Sequence, residues 1–150
     1  PNTAPVIPKE FAAVLIVKPA VPFSDSVKMK LDQYVMQGGK LLWFVDMLYA
    51  EKDSLAFTSR TLAYDRGLNI DDLLFKYGVR VNRDLLQDLQ CDKMRLVVGF
   101  EGGKPQFGNV PFNYYPLLTG TNHPLTKNSE PVLSQFANTV DTVKAEGIQK

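Results

Sequence analysis

The sequence predicts a three-layer α/β domain built on a mostly parallel sheet, and three stretches carry that prediction. Phe11-Ala12-Ala13-Val14-Leu15-Ile16-Val17 is an apolar run closed by Lys18-Pro19. Val27, Leu31, Tyr34 and Val35 recur at the spacing that gathers side chains on one helical face. Leu41-Leu42-Trp43-Phe44-Val45 is a second apolar run, stopped by Asp46. Strand, helix and strand over about three dozen residues make a βαβ unit, whose strands run parallel. Uninterrupted apolar runs of this kind read as strands buried on both faces.

Local chemistry supports the helix ends. The Ser24 hydroxyl suits the N-terminus, where it can accept a backbone N–H that the first turn leaves unpaired. Gly38 and Gly39 suit the C-terminus, where the chain often enters a left-handed conformation that side chains disfavour. Before this unit, Pro1 to Pro8 reads as a linker, with three prolines and little to bury.

After it, Leu48 to Arg66 is a polar connection, too long for a tight βα loop and expected to be a structured excursion or a flap. A second helix follows, with Asn69 as its cap, Asp71 and Asp72 near its positive end, and Ile70, Leu73, Leu74 and Tyr77 on its apolar face. Gly78 ends it, and Val79-Arg80-Val81 alternates as a short edge strand. Asp84 to Leu89 reads as a helical turn or a loop leading to Cys91. Met94 to Phe100 is the next strand, and Glu101-Gly102-Gly103-Lys104-Pro105 is a turn by composition. The aromatic segment Phe107 to Tyr115, interrupted by Pro111, reads as a hairpin arm or an extended surface loop. Asn122 to Asn128 is a polar turn, and Gln135 to Val143 offers a last strand.

Composition narrows the classes of function. A chain of 150 residues fits one α/β domain spanning 1–150, and 45% hydrophobic with 22% charged residues is ordinary for a globular fold. The net charge of +1, without a Lys/Arg stripe, gives no electrostatic reason to expect nucleic acid. One cysteine permits no internal disulfide. No apolar run approaches the roughly 20 residues that cross a bilayer. The start lacks the basic and apolar segments of a signal peptide. With no initiating Met, the chain reads as a soluble piece excised from a larger protein, touching a membrane only through segments outside it.

Four ordered stretches carry a resemblance. They are Tyr34-Val35-Met36-Gln37-Gly38-Gly39-Lys40-Leu41-Leu42-Trp43-Phe44-Val45-Asp46, Leu68 to Val79, Leu86-Gln87-Asp88-Leu89-Gln90-Cys91, and Asn122-His123-Pro124-Leu125. The final Phe136-Ala137-Asn138-Thr139-Val140-Asp141 also fits. Together they resemble the gliding-motility-associated ABC-transporter auxiliary protein of the GldG type, an ABC-type transport-system domain. The resemblance implies a Rossmann-like, periplasmic or otherwise extracytoplasmic domain of a membrane-anchored protein, working with an ABC permease and its ATPase. More distantly, the helix, double glycine and strand resemble the domain shared by intraflagellar-transport proteins and class I amidotransferase-like folds.

Candidate sites each have two readings. Cys91 is the only thiol, but Leu89-Gln90-Cys91-Asp92 lacks the small-residue elbow of an amidotransferase nucleophile, and no Gly-x-Ser-x-Gly occurs. His123 is the only histidine, so any His-dependent acid–base chemistry must use it; before Pro124 it equally suits a turn. Asp46 follows a strand, where open α/β sheets place ligand groups, and also suits loop ordering. Phe107, Phe112, Tyr114 and Tyr115, set among prolines, suit either a partner surface or core packing.

Gly38-Gly39 lies between helix and strand, the reverse of a phosphate loop, and Glu101-Gly102-Gly103-Lys104 lacks the Walker spacing, so the chain is not expected to be its transporter's ATPase. The expected function is non-catalytic, without metal or cofactor: recognition or assembly in an ABC-transporter complex linked to gliding motility or secretion. The alternative is a degenerate amidotransferase-like domain binding a small sugar or peptide at the C-terminal strand ends. Asp46, His123, Phe112, Tyr114 and Tyr115 are the candidate ligand or interface residues.

Overall fold

A computed structural model of the chain describes residues 6–50, 62–124 and 126–144. The stretches 1–5, 51–61, 125 and 145–150 lie outside the described residues, and with them most of the expected linker, the middle of the polar connection and Leu125. The chain forms two compact units, one comprising Pro1–Tyr49, Ala63–Arg83 and Thr139–Lys150, the other Ala50–Leu62 and Asp84–Asn138.

The first unit contains the predicted βαβ element. Strand β1 (Val14–Val17) and strand β2 (Leu41–Phe44) pair in parallel, Val14 opposite Leu41, with helix α1 (Asp25–Met36) between them in sequence. Phe11 to Ala13 lie before the strand, not in it. Ser24 holds the cap position of α1 with extended backbone, but its side chain makes no capping hydrogen bond.

The glycines divide their labour differently from expectation. Gly38 takes the left-handed conformation at φ +91, whereas Gly39 is needed for space: a Cβ there would sit 2.3 Å from the Tyr34 ring. Tyr34 cannot move aside freely, because it is buried and its hydroxyl donates to the Phe11 carbonyl at 2.7 Å.

Strand β3 (Leu48–Tyr49) pairs antiparallel with β4 (Tyr64–Asp65), and their Tyr49 and Tyr64 rings stack at 4.9 Å. Helix α2 (Asp71–Lys76) follows. Asn69 does not cap it; Ile70 holds that position, while Asn69 sits left-handed at φ +56 and donates through Nδ2 to the Phe23 carbonyl at 2.9 Å. Gly78, at φ +77, ends the helix turn as predicted. Strand β5 (Val79–Val81) pairs antiparallel with β9 (Val140–Thr142). The core gathers Met47, Leu68, Ile70 and Leu74, with Phe23, Trp43, Val45 and Val81 packed against them.

The second unit is a long hairpin and its surroundings. Strand β6 (Cys91–Glu101) pairs antiparallel with β7 (Lys104–Leu118) around Gly102 and Gly103, both at positive φ. Those angles suit the two-residue turn that matches strand twist. The aromatic segment is therefore a hairpin arm, and its strand runs through Pro111 without a break. Strand β8 (Val132–Leu133) adds to the end of β7.

The three-layer, Rossmann-like parallel domain is thus not what forms. Among the described residues, β1 and β2 make the one parallel pair; every other pairing is antiparallel, in small sheets with only two helices. The reason lies downstream of β5. Parallel strands need a long crossover after each strand, usually a helix, and after β5 the sequence supplies prolines, glycines and alternating aromatics instead. Nor are β1 and β2 buried on both faces. Leu15, Val17, Leu42 and Phe44 are 60%, 65%, 44% and 56% exposed, so one face of the pair is open.

Candidate functional site

The features that bear on function start with that open face. Side chains alternate along a strand, and in β1 and β2 the intermediate residues, Val14, Ile16, Leu41 and Trp43, take the partly covered side. Beside that covered side lies an apolar cleft of about 490 Å³, walled by Val6, Ile7, Pro8, Phe11, Val27 and Leu31. The opening segment read as a linker therefore supplies three of its wall residues. At the C-terminal ends of the pair, Lys18 is left-handed at φ +43, its N–H donating to the Phe44 carbonyl at 2.8 Å, and Asp46 is half-buried just past β2. A non-glycine residue held left-handed costs free energy and persists where its surroundings fix it.

Charged groups lock α1 against α2. Lys28, though largely buried, lies 2.8 Å from Asp72 and 3.0 Å from Asp25. One turn on, Asp32 accepts hydrogen bonds from Lys76 at 2.9 Å and from the Tyr77 hydroxyl. Lys–Asp at 28 and 32 therefore faces Asp–Lys at 72 and 76, a reciprocal pairing across two helices. The Tyr77 and Lys76 bonds hold the Asp32 carboxyl below its usual range, while burial and then Asp32 push the Tyr77 phenol up.

The Lys28 bond holds the Asp72 carboxyl down, and the bonds to Asp72 and Asp25 raise the Lys28 ammonium. Arg83 forks onto Asp71 at 2.7 and 3.2 Å and reaches Asp65 at 2.5 Å. Asp65 is held low first by the Gly67 N–H. This network was not read from the sequence, yet a signal was there: opposite charges four residues apart in each helix, in reversed order.

In the second unit the predicted aromatics separate. Between the pairs Cys91–Pro116 and Lys93–Pro111, β6 contributes Asp92 alone while β7 contributes Phe112 to Tyr115. The bulged segment folds its rings together: Phe112 lies 5.0 Å from Tyr115 and 5.6 Å from Tyr114. Phe136, not anticipated in this role, completes the cluster at 5.4 Å from Tyr115, held left-handed at φ +53 with its N–H on the Tyr114 carbonyl. Edge-on packing of this kind favours aromatic pairs beyond simple burial. Tyr115 is buried and Phe112 and Tyr114 are half-buried, so the rings pack on one another with part of Phe112 and Tyr114 left accessible. Phe107 stands apart, on the hairpin arm beneath the Arg95 guanidinium.

The Cys91 thiol donates to the Asn113 side-chain oxygen at 3.6 Å. His123 sits in a turn whose N–H groups, those of Thr126 and Lys127, bond its carbonyl at 2.9 Å. Asp46 and His123 belong to different units. Among the described residues, no three His, Cys, Asp or Glu side chains converge as metal ligands, and no helix is long and apolar enough to cross a membrane.

Comparison with known families adds the remaining fact. The family described as an ABC-type uncharacterized transport system, the ABC-transporter auxiliary family, matches residues 1–150. The chain belongs to that family. As an ABC-transporter auxiliary domain it is a component of an ABC-type transport system, in a family of transporter parts and not of enzymes. The match is to the auxiliary family as a whole and does not single out the gliding-motility type. No curated protein and no solved structure matches the chain.

Proposed function

We propose that this auxiliary domain is a non-catalytic recognition or assembly module, acting on the extracytoplasmic side of its ABC transporter through contacts with the permease and ATPase complex. The observation that carries the reading is the open apolar face of β1 and β2. Parallel strands are normally covered on both faces, and four large apolar side chains on one exposed face form the kind of patch that marks a protein interface. The Cys91 thiol bonded to an amide, in a segment without an oxyanion elbow, supports a non-catalytic role. The setting in gliding motility or secretion rests on the ordered sequence stretches that resemble that type.

The test is co-purification of permease and ATPase with the membrane-anchored parent protein carrying Val17→Lys and Phe44→Lys. Both positions are more than half exposed, so the fold should tolerate the change. Loss of the transporter subunits, with an unchanged melt, is expected. Undiminished co-purification would remove the open face from the argument. A second reading, binding of a small sugar or peptide fragment at the strand ends, is favoured by the left-handed Lys18 beside Asp46. Saturable binding abolished by Asp46→Ala would favour it over assembly.

A further inference from the structure

The arm formed by β6 and β7 presents two faces of different character. Cross-strand partners share a face, so Lys93, Arg95, Val97, Phe100, Pro105, Phe107, Asn109 and Pro111 lie on one side. The other side carries Met94, Leu96, Gly108 and Val110, and Met94 is buried, which makes this the inward side. Glu101 and Lys104, next to the turn, also belong to the inward side.

The outward face is exposed along its length, yet it is apolar near the turn: Phe100 is 74% and Phe107 53% exposed, with Val97 and Pro105 beside them. Behind them stand Arg95, its guanidinium 4.9 Å from the Phe107 ring centroid, and Lys93. Among the described residues neither cation is paired with a carboxylate, and no acid lies on this face.

The edges of the arm are closed to another strand. In a hairpin with a two-residue turn the flanking pair, here Glu101 and Lys104, is hydrogen-bonded, and alternate residues of β7 then turn their backbone outward. Pro105 and Pro111 both fall on those outward positions, where the missing N–H removes a donor from the free edge. On β6, the register shift between Val97 and Gly99 leaves Val98 as a bulge that breaks the edge. A partner must therefore use the side-chain face. Strand addition, the usual way an extended peptide is recognised by a sheet, is blocked.

We propose that this face is a peripheral membrane contact, on which the arm lies flat against an anionic lipid surface. Phe100, Phe107, Val97 and Pro105 would sit at the level of the headgroup–acyl boundary, and Arg95 and Lys93 would meet lipid phosphates. Apolar residues flanked by unpaired cations are what an interfacial amphipathic element requires. Glu101 and Lys104, on the opposite side, remain in water in this orientation. A bilayer demands charge and apolar area but no shaped socket, and the face offers both.

The contact is independent of the assembly role proposed above, and its test contains no transporter subunit. The 150-residue chain is floated with vesicles of phosphatidylglycerol and phosphatidylcholine, and with phosphatidylcholine alone. Binding to the anionic vesicles that weakens with added salt is expected. Each cation removed should lower partitioning about fivefold, so Arg95→Ala should show that loss and Arg95→Glu a larger one. Phe100→Ser should also lower it, and circular-dichroism melts of all three variants should match the parent.

Equal partitioning into neutral vesicles, no partitioning at all, or variants that bind like the parent would each overturn the proposal. So would loss of a transporter-subunit contact in Phe100→Ser by a chain that never binds vesicles, since the occupant would then be protein.

Discussion

Leu68→Ala tests the core of the first unit most directly. Leu68 is fully buried among Met47, Ile70 and Leu74, and its role there comes from its side chain, since its carbonyl still accepts the Phe23 N–H after truncation. Removing three carbons forfeits roughly 2.4 kcal/mol of transfer free energy, at about 0.8 kcal/mol for each. The cavity left behind adds about 24 cal/mol per Å³ that the neighbours fail to fill, which puts the total near 3–4 kcal/mol.

For a chain of this size that loss lowers the melting midpoint by about 6–16 °C. The assay is built into the protein: Trp43 is the only tryptophan and packs against this core, so its fluorescence follows the first unit alone. Leu89→Ala is the matched control, the same chemical change at a residue 89% exposed, with an expected effect within about 0.5 kcal/mol. Equal shifts for the two variants, or a Leu68→Ala melt indistinguishable from the parent, would refute the assignment of the core.

Two further outcomes follow from geometry and charge. Gly39→Ala should destabilise by about 1–3 kcal/mol because the buried Tyr34 ring occupies the space of its Cβ. At Gly38, where nothing crowds a Cβ but the backbone is left-handed, Gly38→Ala should destabilise through backbone strain and Gly38→Asn less, as compared in thermal melts.

Stability should fall at both ends of the pH scale. The depressed carboxyls of Asp32 and Asp72 contribute above about pH 4 and lose that contribution as acid protonates them, while the raised Tyr77 phenol contributes below about pH 10 and loses it as the pH climbs. Asp32→Asn should flatten the acid limb and Tyr77→Phe the alkaline limb in urea melts across pH.

The βαβ element was legible because its signals are local: a helical period, a pair of glycines and two apolar runs. The strand through Met94 to Phe100 and the turn at Gly102 and Gly103 were legible for the same reason, whereas the aromatic segment read equally as a hairpin arm or a surface loop. What the sequence hid was partnership. Whether Leu15 and Phe44 are covered depends on what lies over the sheet, and an apolar run reads the same with one face covered or two. The gathering of Phe112, Tyr114 and Tyr115 was open between core and surface. Phe136 joins those rings from a segment that looked like a weak strand. The exchange of ion pairs between α1 and α2 joins residues 44 apart, beyond any local window, although the mirrored charge order was visible.

The route of the chain through the first unit has a consequence for how the protein comes to be made. Among the described residues strand β5 pairs only with β9, with Val79 opposite Thr142, and the Asp84–Asn138 part of the second unit lies in the interval. On a ribosome, the segment containing Met47, Leu68 and Leu74 emerges well before that last strand exists. Closing so long a loop is slow, because its entropy must be lost before the pairing rewards it. Until Val140 to Thr142 arrive, the nascent chain holds β5 without the strand it pairs with. The order of synthesis thus leaves the first unit waiting for β9, while Asp84 to Asn138 are already free to fold.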